Sequence, residues 1–514
     1  MSLLLALLVA VPLLTAVAPL FLAPWNRRLA QAVVAGALVA QVALAAALAW
    51  RVATGGPTTY VVGAIPASFG IGLAGDHLTA AVVLVVALAG LGAYAVGGVD
   101  RGPAGSLWLL LVAGLTGVVV TADVFNLYVF LEISGLAAYA LVASARDVDA
   151  AVAAFTYLLV GTVGATLYLL GVGYLFVATG TLAMADIASA LPALGYDSTL
   201  VVAGFALMAV GLSVKLALFP LHSWKPAAYA AAPPAVAALL AALGSTVAGY
   251  ALVRLTYGVF GPGFLQAVPT LQTLLVALGL VSVVAGGVLA LRATDVRRLL
   301  AYSSVSQFGL FAVGLALATP VAVAGALVTL VGHAVAKGGL FVAAGTLART
   351  AGLRTVDDFA GLGRRSPVVA AVIAVLGTSL VGLPPTVGFA GKYLLALGGL
   401  QAGTPLGLLS AGVVVLSTLL SLAYVGRLVE RVYLGSPPGA VPAGIESATE
   451  RSEGADAATD GGVSVSTADR DPSAVDVPTA ALVVLVVAGV AVLALGLGSS
   501  ALTDWLAPVL EGWL

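Results

Sequence analysis

The chain is a succession of apolar segments separated by short polar turns. A helix rises about 1.5 Å per residue, so about 20 apolar residues cross the hydrocarbon core of a membrane. Segments of this kind lie at 2–22, 29–50, 76–97, 106–122, 123–143, 152–178, 199–220, 233–257, 270–291, 297–318, 320–347, 367–398, 404–430 and 478–498. The pattern therefore predicts an all-α polytopic membrane protein with about fourteen transmembrane helices.

The composition agrees with this pattern and removes several classes of site. Hydrophobic residues make up 61% of the 514 residues and charged residues only 8%, whereas soluble proteins have about 25% charged residues. The net charge of −1 gives no reason to expect a nucleic-acid partner. Cysteine is absent, which excludes iron–sulfur ligation and cysteine-based zinc sites. His77, His222 and His333 lie too far apart in sequence to have metal-site spacing.

The distribution of basic residues predicts the orientation in the cell membrane. Loops after odd-numbered spans hold 14 basic residues, Lys225 among them, whereas loops after even-numbered spans hold only Arg51 and Arg254. Basic loops stay in the cytoplasm, so we expect both termini outside. Arg27 and Arg28 follow the first span rather than precede it, which favours a retained span over a cleaved signal peptide.

Two segments near the C-terminus differ from the bundle. Residues 435–477 are polar and carry eight acidic residues against Arg451 and Arg470, a composition typical of disorder. We predict a disordered, acidic, cytoplasmic linker there. Residues 478–514 hold the last span and a tail with Trp505 and Trp513, which we expect at the outer membrane interface.

The lysines suggest a path for protons. The chain has only four lysines, of which Lys215, Lys337 and Lys392 fall within apolar spans and Lys225 lies beside a proline break. A lysine in hydrocarbon costs about 2.5–3.5 kcal/mol on insertion scales. Unlike arginine, a buried lysine can release its proton. GC-rich coding would explain why surface lysines are arginines, but it leaves the lysines in hydrocarbon to be accounted for.

Proline breaks interrupt two spans in the same way. The stretches 211–234 (GLSVKLALFPLHSWKPAAYAAAPP) and 377–398 (GTSLVGLPPTVGFAGKYLLALG) each combine an apolar span, a proline break and a buried lysine. They are five spans apart, and an odd offset inverts the direction of the chain. Discontinuous helices in inverted repeats are typical of transporters. We therefore predict helices 1–3 in 1–97, one five-helix repeat at 106–258 (helices 4–8) and its inverted counterpart at 268–434 (helices 9–13), with helices 7 and 12 broken.

The acidic counterpart of the lysines is Glu132, in DVFNLYVFLEISG (123–135). It is the only glutamate in a span before Glu430 and must be paired or neutralised. We expect Lys215 as its partner, with a purely structural ion pair as the alternative reading. Asp123 lies nine residues earlier, about 13 Å along a helix, and is either an interfacial cap or an accessory proton group.

His333 and Lys337 share one face of a helix in GHAVAKGGLF (332–341), because they are four residues apart. Histidine titrates near neutrality, so this pair is a candidate relay; a packed, hydrogen-bonding histidine is the alternative. Ser304 and Gln307 in the preceding span either order water or join helices by hydrogen bonds. His222, in the first break, is a further accessory candidate.

Five segments in order carry a resemblance to a known family. They are FNLYVFLEISGLAAYAL, VKLALFPLHSWKPAAYAAAPPAVAALLAAL, RRLLAYSSVSQFGL, GHAVAKGGLFVAAGTL and GLPPTVGFAGKYLL. Over residues 76–430 the chain resembles the antiporter-like membrane subunits shared by Mrp sodium/proton antiporters and respiratory complex I.

The resemblance implies two inverted half-channels joined by a polar axis. In that family the glutamate of span five pairs with the lysine of span seven, and a lysine in span twelve ends the axis. Glu132, Lys215 and Lys392 match those positions. His333 and Lys337 match the central histidine–lysine motif.

The chain departs from the family pattern at two places. Thr246 stands where the family usually has a lysine in span eight, and Lys225-Pro226-Ala227 replaces the usual Leu-Pro-Asp. The first change interrupts the axis between Lys215 and Lys337. Water, Thr246 or Lys225 would have to bridge that interval.

These observations predict a proton-translocating, D-type subunit of a multisubunit Na⁺/H⁺ antiporter of the Mrp kind. We expect other membrane subunits as partners, protons and Na⁺ as the transported ions, and no cofactor or catalytic residue. A membrane subunit of a complex I-like NADH/quinone oxidoreductase or a membrane-bound hydrogenase is the alternative. A non-conducting structural paralogue is a third reading, which Thr246 favours.

Overall fold

The computed structural model describes residues 3–64, 71–97, 102–436 and 475–514. In the first half of the chain the helices are α1 (Leu3–Thr15), α2 (Ala18–Leu22), α3 (Arg27–Gly55), α4 (His77–Gly97), α5 (Gly102–Val120), α6 (Val124–Ala143), α7 (Val148–Thr179), α8 (Met184–Leu194), α9 (Thr199–Leu216), α10 (Trp224–Ala231) and α11 (Pro234–Val253), which continues as a π-helical turn over Arg254–Val259. In the second half they are α12 (Pro262–Ala267), α13 (Pro269–Arg292), α14 (Val296–Ala316), α15 (Pro320–Ala351), α16 (Leu362–Arg365), α17 (Pro367–Val381), α18 (Val387–Gln401), α19 (Pro405–Leu434), α20 (Thr479–Leu497) and α21 (Ser499–Trp513).

The predicted helical membrane bundle is confirmed. Within the described residues, 13 helices are long and apolar enough to cross a membrane, the first of them formed by α1 and α2 together. The remaining predicted span, the twelfth at 367–398, is present as the two shorter helices α17 and α18. The inverted relation between the two five-helix repeats stays a prediction.

Both predicted breaks are present. In the seventh span α9 ends at Leu216 and α10 begins at Trp224, so seven residues lie outside helix between them. In the twelfth span α17 ends at Val381 and α18 begins at Val387. Each break contains a proline, which supplies no backbone N–H to a helix.

A small antiparallel hairpin between α3 and α4 was not predicted from the sequence. Strand β1 (Thr58–Val61) pairs with β2 (Gly72–Gly75), with Thr58 opposite Gly75. Short extended segments of this kind give no amphipathic signal in a chain dominated by apolar helices.

Three helices form the centre of the bundle. The most apolar stretches of Pro234–Val259 and Val296–Ala316 are 94% buried, and that of Pro320–Ala351 is 89% buried, against 28% for Thr479–Leu497. Helices α11, α14 and α15 are therefore surrounded by protein, and polar side chains on them are shielded from lipid.

Glycines allow neighbouring helices to approach closely. A Cβ atom on Gly309 of α14 would lie 2.6 Å from the carbonyl oxygen of Gly279 on α13. On α7, a Cβ on Gly171 would lie 2.6 Å from the carbonyl oxygen of Gly204 on α9. Small residues at such contacts are the usual means of packing membrane helices.

One ion pair ties α4 to α11 at the end of the bundle where α4 begins. Arg254 Nη1 lies 2.7 Å from Asp76 Oδ2, and Arg254 Nη2 donates to Asp76 Oδ1 at 3.0 Å. Both side chains are largely buried, and Arg254 Nη2 also donates to the Tyr250 hydroxyl at 2.8 Å. The bidentate geometry fixes the two helix ends relative to each other.

The C-terminal segment packs back on the bundle. The predicted tail forms α21, in which Trp505 Nε1 donates to the His77 carbonyl at 2.8 Å and Trp513 lies against Arg254. Helix α20 packs on the second break, where Gly496 leaves no room for a Cβ beside Pro385. Most of the predicted linker 435–477 lies outside the described residues, since 437–474 are not described.

Candidate functional site

The first break leaves carbonyl groups without helical partners inside the protein. Such groups need other donors, because unpaired backbone at this depth is costly. Trp224 Nε1 donates to the Val214 carbonyl at 3.0 Å. The Ser245 hydroxyl of α11 donates to the Lys215 carbonyl at 2.9 Å and lies 3.3 Å from the Leu216 carbonyl. The break is therefore held by polar side chains of α10 and α11.

The second break is satisfied in a similar way. Lys392 Nζ donates to the Val381 carbonyl at 2.9 Å. Gln307 Nε2 of α14 donates to the Leu380 carbonyl at 3.1 Å. Lys392 and Gln307 are both predicted site residues. At this break they also supply the hydrogen-bond donors that the backbone carbonyls need.

Lys215 is held by Tyr139. The lysine is 8% exposed, and its Nζ donates to the Tyr139 hydroxyl at 2.9 Å. A Cβ on Gly135 would lie 2.8 Å from that Nζ atom, so the ammonium group lies beside the α6 backbone. The neighbouring position on α6 has no side chain, which makes room for the lysine.

The expected direct pair between Glu132 and Lys215 is not formed. No salt bridge joins these two residues in the described part of the chain, and Glu132 Oε1 is buried there without a hydrogen-bond partner. The Lys215 ammonium lies instead beside Gly135 and the Tyr139 hydroxyl. Tyr139 is within electrostatic range of both Glu132 and the Lys215 ammonium.

Lys225 is deeply buried, and its assignment to a cytoplasmic loop is wrong. It lies in the first turn of α10 and is 1% exposed. Its Nζ donates to the Ser245 hydroxyl at 2.7 Å and lies 5.3 Å from the ring centre of Tyr229 and 5.1 Å from that of Phe308. The broken helix turns this side chain into the bundle, which a count of loop charges does not reveal.

His333 and Lys337 face α14 from the centre of the bundle. Lys337 is fully buried, and its Nζ donates to the Leu300 carbonyl at 2.8 Å and to the Ser303 hydroxyl. The His333 ring meets the edge of Phe308 with 4.6 Å between ring centres. Both ring nitrogens of His333 are buried without a hydrogen-bond partner among the described residues.

Helix α14 connects the central pair to the second break. Ser303 binds Lys337, and Gln307 lies four residues later on the same face. Gln307 then binds the Leu380 carbonyl, next to the Val381 carbonyl that accepts from Lys392. Hydrogen-bonding groups therefore continue from Lys337 to Lys392 along one side of α14.

Two of the accessory candidates have local structural roles. Asp123 is the N-cap of α6, where its Oδ1 accepts from the Asn126 N–H at 2.7 Å. A capping role was one of the two alternatives predicted for this residue. The Thr246 hydroxyl donates to the Ala242 carbonyl of its own helix at 2.7 Å. The hydroxyl proton of Thr246 is therefore used within α11 and is not donated to another helix.

Ser304 and His222 are two further accessory candidates. The Ser304 hydroxyl donates to the Leu300 carbonyl at 3.2 Å, within its own helix. His222 is half-buried in the first break, and its ring centre lies 5.1 Å from that of Phe219 and 6.1 Å from that of Tyr302. His222 therefore packs among aromatic rings.

Sequence reasoning missed the residues that hold the lysines. Tyr139 follows Glu132 by seven residues, so it lies two turns along the same helix face, and that spacing is a signal. Ser245 and Ser303 were seen only as neighbours of other candidates. Phe308 gave no signal, because an aromatic residue in a membrane span is ordinary.

The four buried lysines share one chemical feature. Each ammonium group donates to a neutral oxygen: the Tyr139 hydroxyl, the Ser245 hydroxyl, the Leu300 carbonyl with the Ser303 hydroxyl, or the Val381 carbonyl. In the described residues none of the four forms a salt bridge. A buried ammonium without a counter-charge is costly, and its deprotonation leaves no unpaired anion behind. The arrangement is suited to lysines that change protonation state.

Comparisons with known proteins find relatives among membrane subunits. Residues 121–421 match the family described as NADH:quinone oxidoreductase/Mrp antiporter, TM. The chain is 41% identical over 454 residues to the N subunit of the NADH-quinone oxidoreductase of Desulforudis audaxviator, covering 84% of this chain and 88% of that protein. It is 31% identical over 433 residues to the D-type subunit of the Na(+)/H(+) antiporter of Bacillus subtilis, covering 83% and 86%.

A solved structure is similar over the whole length. A chain in the structure of the Mrp complex from Dietzia sp. DQ12-45-1b superposes with a TM-score of 0.86 at 28% identity, covering 100% of this chain and 98% of that one. The fold of this chain is therefore one already seen in a membrane complex.

Proposed function

The chain belongs to the NADH:quinone oxidoreductase/Mrp antiporter family of membrane subunits, and on that premise we propose that it carries protons across the membrane along its buried polar groups. The observation that carries the proposal is the set of four buried lysines, each bound to a neutral oxygen rather than to a carboxylate. Lysines held in this way exchange protons without breaking a buried ion pair.

The proposed path begins at Glu132 and Lys215, passes His333 and Lys337 at the centre, and ends at Lys392. Glu132 modulates Lys215 through the field of its carboxylate, with Tyr139 between them. His333 accepts protons from one side and passes them towards Lys337, which lies one turn away on the same face of α15. Polar groups of α14 lead from there to Lys392.

The chain works with other membrane subunits. Its relatives are one subunit of an antiporter and one of an oxidoreductase, and its structural neighbour is part of a multisubunit complex. In an Mrp-type assembly, proton flow through this chain would be exchanged for Na⁺. In an oxidoreductase it would be driven by redox chemistry carried out in partner subunits.

Each assembly has an observation in its favour. The TM-score of 0.86 over the full chain favours the Mrp-type antiporter, which is our first proposal. The 41% identity to the N subunit of an oxidoreductase favours the complex I-like assembly as the second candidate. Purification of the intact complex from its native membrane separates them, because quinone- or iron–sulfur-bearing partners would contradict the antiporter.

The excess of arginine in alternate loops supports an orientation with both termini outside and the acidic segment 435–477 in the cytoplasm. Removal of Lys225 from the loop count leaves that excess in place, since 13 basic residues still oppose two. Labelling of single cysteines introduced at residue 26 and at residue 403 tests this orientation, since the chain has no cysteine of its own.

Proton flux in membrane vesicles tests the function. Lys215→Ala in the assembled complex is expected to abolish cation-dependent proton flux while the partner subunits still co-purify. Ser410→Ala is a matched control, because Ser410 is buried in α19 and binds only its own helix in the described structure. Normal flux in Lys215→Ala would contradict the proposal.

A further inference from the structure

Lys225 lies in the interval between Lys215 and the His333–Lys337 pair. Helix α11 separates the two ends, and its sequence PAVAALLAALGSTVAGYALV contains no lysine, histidine or acid. Thr246 donates to its own helix and offers no titratable group. Lys225 reaches this level from α10 and places its ammonium group against Ser245 of α11.

On one side, Lys225 is tied to the Lys215 region. Ser245 accepts from Lys225 Nζ at 2.7 Å and donates to the Lys215 carbonyl at 2.9 Å. One hydroxyl therefore joins the side chain of Lys225 to the backbone of Lys215, in the last turn of α9. The burial of Lys225 keeps bulk water away from this link.

On the other side, Lys225 faces His333 across a single ring. Phe308 lies 5.1 Å from Lys225 Nζ and 4.6 Å from the His333 ring centre. The charge of Lys225 acts on both His333 and Lys337. The titratable groups that face Lys225 are therefore Tyr229 on its own helix and His333 and Lys337 on α15.

We propose that Lys225 is the proton-carrying residue that joins Lys215 to the His333–Lys337 pair. This inference rests on the proposed function and names a member of the path that the family resemblance does not supply. It also assigns a reason to the otherwise unusual lysine at the break. A structural anchor for Ser245 would need only the positive charge and the hydrogen bond, not a removable proton.

The transfer is a simple proton exchange. The Lys225 ammonium gives one proton, through a water molecule, to an unpaired ring nitrogen of His333. Lys225 becomes a neutral amine, and the His333 imidazole becomes an imidazolium. A proton arriving from the Lys215 side restores the Lys225 ammonium, so charge and protons balance. Without such a carrier, the Phe308 ring would separate the two halves of the path.

Replacements at Lys225 distinguish a carrier from an anchor. Flux is measured in vesicles that contain the whole complex, with assembly checked by co-purification of the partners. Lys225→Arg keeps the charge and a donor for Ser245 but cannot release a proton, and we expect at least a tenfold loss of flux. Lys225→Leu is expected to lose as much. Lys225→His is expected to keep part of the flux, with its optimum at lower pH, because histidine titrates several pH units below lysine.

The outcomes separate this inference from the proposed function. Flux within twofold of the unaltered protein in Lys225→Arg overturns the inference if Lys215→Ala still abolishes flux. Unchanged flux in Lys215→Ala overturns the proposed function itself. Where Lys225→Arg fails to assemble, the Lys225→His profile decides: an unshifted pH optimum refutes the carrier role. Ser410→Ala controls for the loss of a buried polar contact outside the path.

Discussion

Lys215 Nζ donates to the Tyr139 hydroxyl at 2.9 Å, so the lysine at the first helix break is held by a neutral phenol. Glu132, two turns earlier on the same face as Tyr139, forms no salt bridge with Lys215 in the described residues. In the described residues Lys215 is therefore held without an ion pair.

Removal of the phenol hydroxyl is expected to slow the path. Tyr139→Phe removes the acceptor of a charged donor, a bond worth about 1.5–3 kcal/mol, and leaves Lys215 without its neutral partner. We expect proton flux in vesicles to fall about tenfold or more while the complex still assembles. Tyr168→Phe is the control, because Tyr168 is also buried but donates its hydroxyl to the Val124 carbonyl at 3.1 Å rather than binding a lysine. Equal effects in both variants would contradict a specific role for Tyr139.

Neutralisation of Glu132 is expected to abolish flux without unfolding the chain. Glu132 is half-buried and its Oε1 has no hydrogen-bond partner in the described residues, so Glu132→Gln breaks no bond seen there. The loss comes from the missing field on Lys215. Thermal unfolding of the purified complex should change little, and vesicle flux should disappear. Normal flux in Glu132→Gln would show that the Glu132 carboxylate is not part of the proton path.

The second break depends on an amide from the neighbouring helix. Gln307→Leu leaves the Leu380 carbonyl without its donor, at a cost of about 1–3 kcal/mol for an unpaired buried group. We expect a lower unfolding temperature together with reduced flux, because the same amide connects Lys337 to Lys392. Gln307→Glu, which keeps the size, is the companion variant. Normal stability and normal flux in Gln307→Leu would show that the amide neither stabilises the second break nor contributes to proton transfer.

The ion pair at the end of α4 is expected to matter for stability alone. Arg254→Met leaves Asp76 largely buried and unpaired, and removal of one partner of such a pair typically costs about 3–5 kcal/mol. The double variant with Asp76→Asn should be less destabilised than Arg254→Met. Denaturation of the complex in detergent measures both. An additive double variant would contradict direct coupling of the two side chains.

Close helix packing at Gly309 is also testable. Gly309→Val places a Cβ atom 2.6 Å from the Gly279 carbonyl oxygen, so α13 and α14 must separate. We expect loss of assembly or a strongly reduced unfolding temperature. Gly412→Val is the control, because a Cβ on Gly412 meets nothing within 4 Å in the described structure. Similar behaviour of the two variants would refute the packing argument.

The helices could be predicted from the sequence because a membrane span is a local property. About 20 apolar residues in a row mark a helix whatever surrounds it, and the proline breaks after Lys215 and before Lys392 were visible in the same way. The hairpin at Thr58–Val61 was missed because its four-residue strands leave no comparable pattern. The family assignment is confirmed, since five motifs in order carry far more information than any one span.

The site could be predicted only in part, for a physical reason. Burial of a lysine is visible in a hydropathy pattern, so Lys215, Lys337 and Lys392 were found. The partner of each lysine is set by contacts between helices far apart in sequence, such as Lys215 with Tyr139. Lys225 was misplaced because the charge count treats every residue after a span as exposed. The structure buries it through the geometry of the broken helix.

The position of α20 has a consequence for how the protein is made. Gly496 lies against Pro385 and Thr386, so the last helix covers the backbone of the second break. More than a hundred residues separate the two in the chain. During synthesis the second break is made long before α20. Until α20 is in place, the Pro385 carbonyl must face lipid, water or another protein. The bundle is therefore complete only once α20 has been made. A chain that lacked α20 would leave the polar backbone of the second break uncovered in the membrane.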